Sequence, residues 1–352
     1  MPSLASISTI DFPFKISQEE AQQCAKEVFK PSFPEIERML GVFKNTEINT
    51  RNFCKPLDYY KNPHTFGEQN AEYINVSLEY SVKAIEECIA SAGIKKEAIT
   101  DIIFVSTTGL STPSIDALII NKMRLHPNIN RTPIFGLGCA GGVSGFSKAG
   151  TLAKANPDAI VLLVSVELCS LTFLRNDYSK SNFVGSSLFS DGVSACIIMG
   201  DNHSNKNHVQ FLASQSKLYY DSLDVMGWEF LSEGFKVLFS QDIPDIISKN
   251  IYSDVTSFLE KHQLGLSDIK NFIFHPGGKK VLAAYTEALP VKGDFLKNTR
   301  DIMAENGNMS SPTVLYVLER FISRGFENGH GLMVAMGPGF SSEMVLLQMN
   351  KD

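Results

Sequence analysis

The amino-acid sequence predicts an α/β protein made of two similar halves, and three observations lead there. Helix-type and strand-type patterns alternate along most of the chain, the order expected when helices pack on a central sheet. The strand-type runs are short, apolar and β-branched, as in strands buried on both faces. A helix-end, turn and strand pattern around Ala92–Ser106 is echoed around Gly265–Phe274, half a chain length later, so the chain reads as two similar halves about a pseudo-twofold axis.

Taken in order, Ser17-Gln18-Glu19-Glu20 is a capping box that opens a helix closed by Pro31. Ile74, Leu78, Val82, Ile85 and Ile89 recur at four- and three-residue steps, so they predict a long helix that Gly93 ends. Asp101–Val105 reads as a buried strand, followed by strand at Thr132–Phe135 and helix at Ala140–Ala155. Ala159–Val166 and Val193–Met199 are further strands, and a helix runs through Val314 to Phe321. The polar stretch Asp201–Asn207 is the expected join, dividing the chain into 1–204 and 205–352. No low-complexity tract separates the halves, so one rigid unit is expected.

Composition narrows the function classes. The chain has 352 residues, 43% of them hydrophobic and 20% charged, ordinary values for a globular protein with ample core. A formal net charge of −6 provides no general basic field for nucleic acid, so an anionic ligand needs a local cationic cluster. The apolar runs are strand-length, too short to span a membrane, and Asp11 and Lys15 interrupt any secretory-type start. A cytoplasmic protein is expected. The six cysteines form no CxxC pair and no metal-type cluster with histidine, so no metal site is expected and free buried thiols are the default.

Cys139 departs from that default. Gly136-Leu137-Gly138-Cys139-Ala140-Gly141-Gly142 follows a predicted strand and opens a predicted helix. A thiol there lies at the positive end of a helix dipole, which favours thiolate, and its own amide could donate to an oxyanion. The segment reads as a nucleophile site or as a tight turn holding a small buried residue. Phe274-His275-Pro276-Gly277-Gly278 places a histidine at the end of the echoed strand, either functional or structural. Asn308, in Asn306-Gly307-Asn308-Met309-Ser310-Ser311, precedes a helix and could simply cap it. Cys, His and Asn at the ends of equivalent elements in two halves are more telling together than singly.

These residues carry a family resemblance. GLGCAGG around Cys139, HPGG at His275, GNMSS at Asn308 and GPGF at Gly337–Phe340 resemble the type III polyketide synthases, the chalcone synthase family, in collinear order along the whole chain. Glu167 with Thr172-Phe173, Leu188–Gly192 and Ser106–Gly109 add to the match. Through SVELCSLTF, DVMGWEF and GPGFSSE the chain is most similar to bacterial members from Bacillus-like organisms that make alkylpyrones. The resemblance implies a thiolase-like fold, two pseudo-symmetric halves layered α-β-α-β-α, in a homodimer.

It also implies a chemistry. An acyl-CoA starter would load on Cys139, condense repeatedly with malonyl-CoA by decarboxylative Claisen chemistry, and cyclise. Coenzyme A thioesters are substrates here, and no cofactor or metal is implied. His275 and Asn308 would donate hydrogen bonds to the enolate, and His275 as imidazolium would lower the Cys139 pKa. Phe189 aligns with an aromatic gatekeeper and Val237 with a second one that is phenylalanine in plant enzymes. Cys169, Thr172, Thr107, Thr108, Ser310 and the loop Gly337, Pro338, Gly339 and Phe340 match cavity-lining positions. Lys44, Arg51, Lys55 and Lys279 lie where the family gathers cations for coenzyme A, with Lys280 a further candidate. Thr112-Pro113 matches a site that is cis in the family and reaches the partner's cavity. Val237 and Cys169 favour a long alkyl starter and an alkylpyrone product.

Three other readings share parts of this pattern. A 3-oxoacyl-[acyl-carrier-protein] synthase III-like enzyme shares Cys, His and Asn, but usually follows its histidine with Gln-Ala-Asn. A cysteine hydrolase has a different setting for its nucleophile. A non-catalytic acyl-CoA-binding protein has no need of decarboxylation donors.

Overall fold

The computed structural model describes residues 1–30, 36–203 and 208–351. Pro31 and residues 204–207, the latter part of the expected join Asp201–Asn207, lie outside the described residues. Nine strands form one sheet in the spatial order Ile269–Phe274, Gly329–Gly337, Ser341–Met349, Val209–Leu218, Ser3–Thr9, Asp191–Met199, Ile160–Leu168, Asp101–Val105, Asn130–Ile134. Pairing outward from the centre is the same on both sides: two antiparallel steps, then a parallel one. The sides join where Ser3 pairs with Gln210 and the Phe211 amide donates to Pro2 O at 2.9 Å.

Most inner strands bury both faces, and successive residues enter different cores. Ile103, Val105, Val161, Leu163, Cys196 and Ile198 join Met333, Ala335, Val345 and Leu347 of the other half in a shared central core. Their neighbours Ile102, Phe104, Leu162, Val164, Ala195 and Ile197 face an outer core beneath the helix Phe66–Ala92. On the other side Phe272, Phe274, Leu332, Val334 and Leu346 pack with Ile247, Ile251 and Val255 of the helix Ile243–Glu260. The helices Gly141–Ala155 and Thr313–Arg324 touch strands of both halves, so they form the middle layer. The layers run α-β-α-β-α, as expected.

Local signals explain most boundaries. The helix Gln18–Phe29 starts on the Ser17/Glu20 capping box, with Ser17 N donating to Glu20 Oε2 at 2.8 Å. Phe66–Ala92 starts on a second box, Thr65/Glu68, and stops at Gly93 in the left-handed region (φ 65°). The echoed segments both fold as a short 3₁₀ turn leading into a strand, Lys96–Ala98 before Asp101–Val105 and Leu266–Asp268 before Ile269–Phe274. The strand expected at Thr132–Phe135 is Asn130–Ile134, an edge strand, which is where Pro133 is tolerated. No helix among the described residues is long and apolar enough to cross a membrane.

Two additions cover the end of the sheet that carries Cys139. The hairpin Met226–Leu231 with Gly234–Phe239 lies on one side. On the other, Phe14–Ser17 pairs with Thr50–Phe53, and the helix Gln18–Phe29 packs with Phe43, Phe53 and Phe183 in a separate apolar cluster.

The first turn of the middle helix meets the other half backbone to backbone. A Cβ on Gly142 would lie 2.2 Å from Ser311 O, which cannot move without the helix that follows it. Gly142→Ala should therefore destabilise the fold by about 2–4 kcal/mol, read as a lowered urea midpoint with unchanged m-value.

Candidate active site

Cys139 lies in a 3₁₀ turn, Gly138–Ala140, that runs directly into the helix Gly141–Ala155. The thiol is buried, and its Sγ–H donates to Ser310 Oγ at 3.6 Å. Ser310 N donates to Asn308 Oδ1 at 2.8 Å, and Asn308 Nδ2 donates to Gly277 O at 2.8 Å, two residues beyond His275. One chain of hydrogen bonds thus runs from Cys139 through Ser310 and Asn308 to the loop that follows His275. Ser310 holds a left-handed backbone (φ 57°), an uncommon conformation for a non-glycine residue.

His275 ends its strand with its amide donating to Val334 O at 2.8 Å, and its side chain is 3% exposed. Neither ring nitrogen has a hydrogen-bond partner among the described residues. No hydrogen bond joins it to Cys139 among the described residues. Burial pushes the Cys139 thiol up to about 12 and the His275 imidazole down to about 3. Burial thus favours the neutral form of each group, against the expected imidazolium–thiolate pair, which the alkylation measurement below tests directly. A charge on either group alone is costly in this dry setting.

Glu167 organises the floor of the site. It is the one charged residue in the strand Ile160–Leu168 and is fully buried. Its Oε2 accepts from Thr107 N at 2.9 Å and Thr108 Oγ1 at 2.8 Å, and its Oε1 accepts from Ser311 Oγ at 3.0 Å. Thr107 Oγ1 in turn accepts from Gly138 N at 3.1 Å. Burial outweighs these donors and raises the Glu167 carboxyl to about 7.

The Cys139 chamber is lined by Thr107, Cys169, Phe189, Trp228, Val237, Phe239, Ser310 and Pro338, among others. It shares Cys169, Phe189, Trp228 and Val237 with an apolar pocket of about 80 Å³. Ala21, Cys24, Ala25, Val28 and Phe29 of the first helix wall that pocket, with Thr172 on its edge. Through Phe239 the chamber also adjoins a groove of about 520 Å³ bordered by Arg38, Lys180, Lys279 and Lys280.

Several expected site residues need correcting. Arg51 is no phosphate ligand: it is 2% exposed, and its Nη1 donates to Ser186 O at 2.8 Å and Phe189 O at 2.9 Å. Lys55 does not line the groove and pairs with Glu72 at 2.6 Å. Lys44 is exposed on the short helix Gly41–Asn45, whose Gly41, Val42 and Asn45 border the groove although Lys44 does not. Lys279 does border it, paired at 2.8 Å with Glu47. Of the loop Gly337–Phe340, only Pro338 lines the chamber. Gly337 backs it, since a Cβ there would lie 2.3 Å from Leu137 O, and Phe340 is core, packed on Tyr219. Thr108 serves Glu167 rather than the chamber. Thr112–Pro113 is cis.

The sequence reading missed Arg38 and Lys180, which no periodicity distinguishes from surface cations, and the pocket wall on the first helix. Glu167 could have been singled out, as a lone acid in a strand buried on both faces.

Two measurements check the electrostatics. Alkylation of Cys139 by iodoacetamide should be slow at neutral pH in the free enzyme and should speed up as pH rises, because the thiolate forms only at high pH. Fast labelling at pH 7 that His275→Gln removes would instead establish a resting ion pair. For Glu167 the folded protein keeps a proton that the unfolded chain, with an ordinary value of 4.5, has lost. Wild-type stability relative to Glu167→Gln should therefore fall by about 3 kcal/mol as pH rises from about 4.5 to about 7, then level off. Gln can keep its oxygen toward Thr107 and Thr108 and its amide toward Ser311, so the difference isolates the titration.

The comparisons agree with this architecture. The model of the chalcone and stilbene synthase N-terminal domain matches residues 63–202, and that of the C-terminal domain matches residues 211–350. A Bacillus subtilis (strain 168) protein named "Putative chalcone synthase" is 43% identical, covering 100% of both chains. The 1,3,6,8-tetrahydroxynaphthalene synthase of Streptomyces peucetius subsp. caesius is 32% identical over 98% of this chain and 93% of its own. Among solved structures, the 1,3,6,8-tetrahydroxynaphthalene synthase of Streptomyces coelicolor A3(2), a bacterial type III polyketide synthase, superposes with a TM-score of 0.94 at 26% identity, covering 99% of this chain and 100% of that one. The type III polyketide synthase domain of Dictyostelium Steely1 gives 0.91 at 26% identity, covering 99% of each. The thiolase-like fold, the two matched domains and the end-to-end similarity place this chain in the chalcone and stilbene synthase family, the type III polyketide synthases, as a condensing enzyme of the acyltransferase type.

Proposed function

We propose that this type III polyketide synthase takes a long-chain fatty acyl-CoA as starter, extends it with malonyl-CoA and releases alkylpyrones. One observation carries the reading: the thiol chamber adjoins a cation-bordered groove on one side and an apolar pocket on the other. An acyl-CoA has those three parts in that order, an anionic head, a thioester and an alkyl tail.

Arg38, Lys180, Lys279 and Lys280 would meet the phosphates. The Lys279–Glu47 pair is half exposed and worth little, so a phosphate can displace it. Cys139, giving its proton to His275 as the thioester approaches, would attack the acyl carbonyl and release coenzyme A. In extension, malonyl-CoA loses carbon dioxide and the developing enolate takes hydrogen bonds from His275 and Asn308. The unpartnered ring nitrogens of His275 support this role, because a buried imidazole without partners costs about 1–3 kcal/mol unless a ligand engages it. Asn308 can turn its amide from Gly277 O to the substrate. The enolate then attacks the acyl group on Cys139, and repeated rounds build the chain that lactonises.

Phe189 and Val237 stand between chamber and apolar pocket and would act as the gate. Val237 leaves room where an aromatic ring would close the passage. The reading includes a homodimer: Leu110 and Phe135 are 43% and 48% exposed and follow adjacent parallel strands, so they lie at one end of the sheet.

The test is relative turnover of acetyl-, hexanoyl-, lauroyl-, palmitoyl- and p-coumaroyl-CoA with malonyl-CoA, with Cys139→Ala as the inactive control. Each buried methylene adds about 0.8 kcal/mol, so lauroyl and palmitoyl should exceed acetyl by orders of magnitude. Val237→Phe should shift the optimum to shorter chains. Preference for p-coumaroyl-CoA, or a Val237→Phe profile like that of wild type, would overturn this reading.

A further inference from the structure

Arg51 lies in the strand Thr50–Phe53, and its side chain is among the largest to be fully buried. Its Nη1 reaches two main-chain carbonyls, Ser186 O at 2.8 Å and Phe189 O at 2.9 Å. They belong to the end of the helix Lys180–Leu188, where carbonyls lack intrahelical partners and the helix dipole is negative. A permanent cation is well placed there. The guanidinium carbon lies 5.2 Å from the centroid of the Phe53 ring, which fixes it from the side. Burial draws Arg51 down to about 10, so it remains charged at neutral pH, with Asp191 favouring that charge.

Phe189 is the first residue beyond that helix, and its main chain is held on several sides. Its amide donates to Gly185 O at 2.9 Å, and its carbonyl accepts from Arg51. The Asn308 strand segment clasps it as a parallel bridge, with Asn308 N donating to Leu188 O at 3.0 Å and Ser190 N donating to Asn308 O at 2.9 Å. Its ring packs over Gly185, edge-on to Phe239 at 6.4 Å. Arg51 is therefore the only side chain among the described residues that hydrogen-bonds the Phe189 carbonyl.

We propose that Arg51 is a positioning residue for the gate: by holding the Ser186 and Phe189 carbonyls, its guanidinium sets the angle at which Phe189 divides the thiol chamber from the apolar pocket. Through that angle it helps decide which acyl chains pass. The inference rests on reading Phe189 as a gate. A role confined to capping the helix would change stability and leave substrate choice alone.

The experiment compares palmitoyl- and hexanoyl-CoA, mixed in equal amounts with malonyl-CoA, and reads the product ratio by mass spectrometry. The full-length proteins are wild type, Arg51→Lys, Arg51→Met, Phe189→Leu and the Arg51→Met/Phe189→Leu double variant. Losing a charge-assisted hydrogen bond should lower the palmitoyl-to-hexanoyl ratio about tenfold in Arg51→Met. Arg51→Lys, which keeps the charge, should fall between the two. In the Phe189→Leu background, Arg51→Met should add no further change, since both act on one element. If Phe189→Leu shifts the ratio and folded Arg51→Met does not, or if the effects simply add, the positioning role is overturned and the gate stands. If Phe189→Leu leaves the ratio unchanged, the gate reading fails and this inference with it. Should Arg51→Met not fold, Phe53→Leu removes the ring beside the guanidinium while keeping its hydrogen bonds. It should move the ratio in the same direction by about threefold, the scale of an exposed-to-buried cation–π contact, and a wild-type ratio would overturn the proposal.

Discussion

The site depends on how closely the Ser310–Ser311 turn of one half approaches the first turn of the Gly141–Ala155 helix of the other. Only glycine at 142 allows that approach, because any Cβ would meet Ser311 O. The same contact brings Ser310 Oγ to the Cys139 thiol and Ser311 Oγ to Glu167, while Asn308 is tethered to Ser310 through its side-chain oxygen. Ser311 also meets Ser165 at 2.9 Å, so the turn is bonded into the strand carrying Glu167. The nucleophile comes from one half, His275 and Asn308 from the other, and their relative position is a property of this seam. The three buried cores explain why it can be rigid: the middle helices are packed by strands from both sides.

Glu167 illustrates what that rigidity costs. A carboxylate with three donors is well satisfied in hydrogen bonds, yet full burial still raises its pKa to about 7. What it obtains is registry: one side chain ties the Thr107–Thr108 loop to the Ser311 turn, and through Thr107 to the amide of Gly138 beside the nucleophile. An apolar residue there would pack well but fix none of these loops. The strand Ile160–Leu168 therefore carries its one charge at the position where three loops must agree.

Much of this was legible in the sequence, for physical reasons that differ from element to element. Capping boxes at Ser17 and Thr65 and the stop at Gly93 are local chemistry, so they appear where the sequence puts them. The echo around Asp101 and Ile269 survives because both segments must bury a strand beside a parallel neighbour. Cys139, His275 and Asn308 were found by motif, and each lies at the end of an element, where a rigid scaffold can aim it. Arg51 was misread because a charged residue near other cations suggests a phosphate, whereas burial against the carbonyls of a helix 135 positions away is a purely tertiary fact. Lys55 is taken by Glu72, and Lys44 is exposed beside the groove rather than lining it, which are likewise tertiary facts. The apolar pocket wall on the helix Gln18–Phe29 was invisible because its Ala21, Cys24, Ala25 and Val28 look like any amphipathic core face.

Dryness governs both chemistry and choice of substrate. The burial that favours the neutral forms of Cys139 and His275 would, in the proposed reaction, also strengthen every donor aimed at a developing enolate. Such a site gains most when the substrate completes it, filling the chamber and bringing an acceptor to the unpartnered imidazole. The passage to the apolar pocket threatens that economy, since an opening wide enough for an alkyl chain also admits water when empty. A ring at Phe189, held from behind by a buried cation rather than by packing alone, can yield to a chain and then return to one position. The charge of Arg51 cannot be titrated away near neutral pH, so its hold on that position would not depend on the proton transfer proposed at Cys139 and His275.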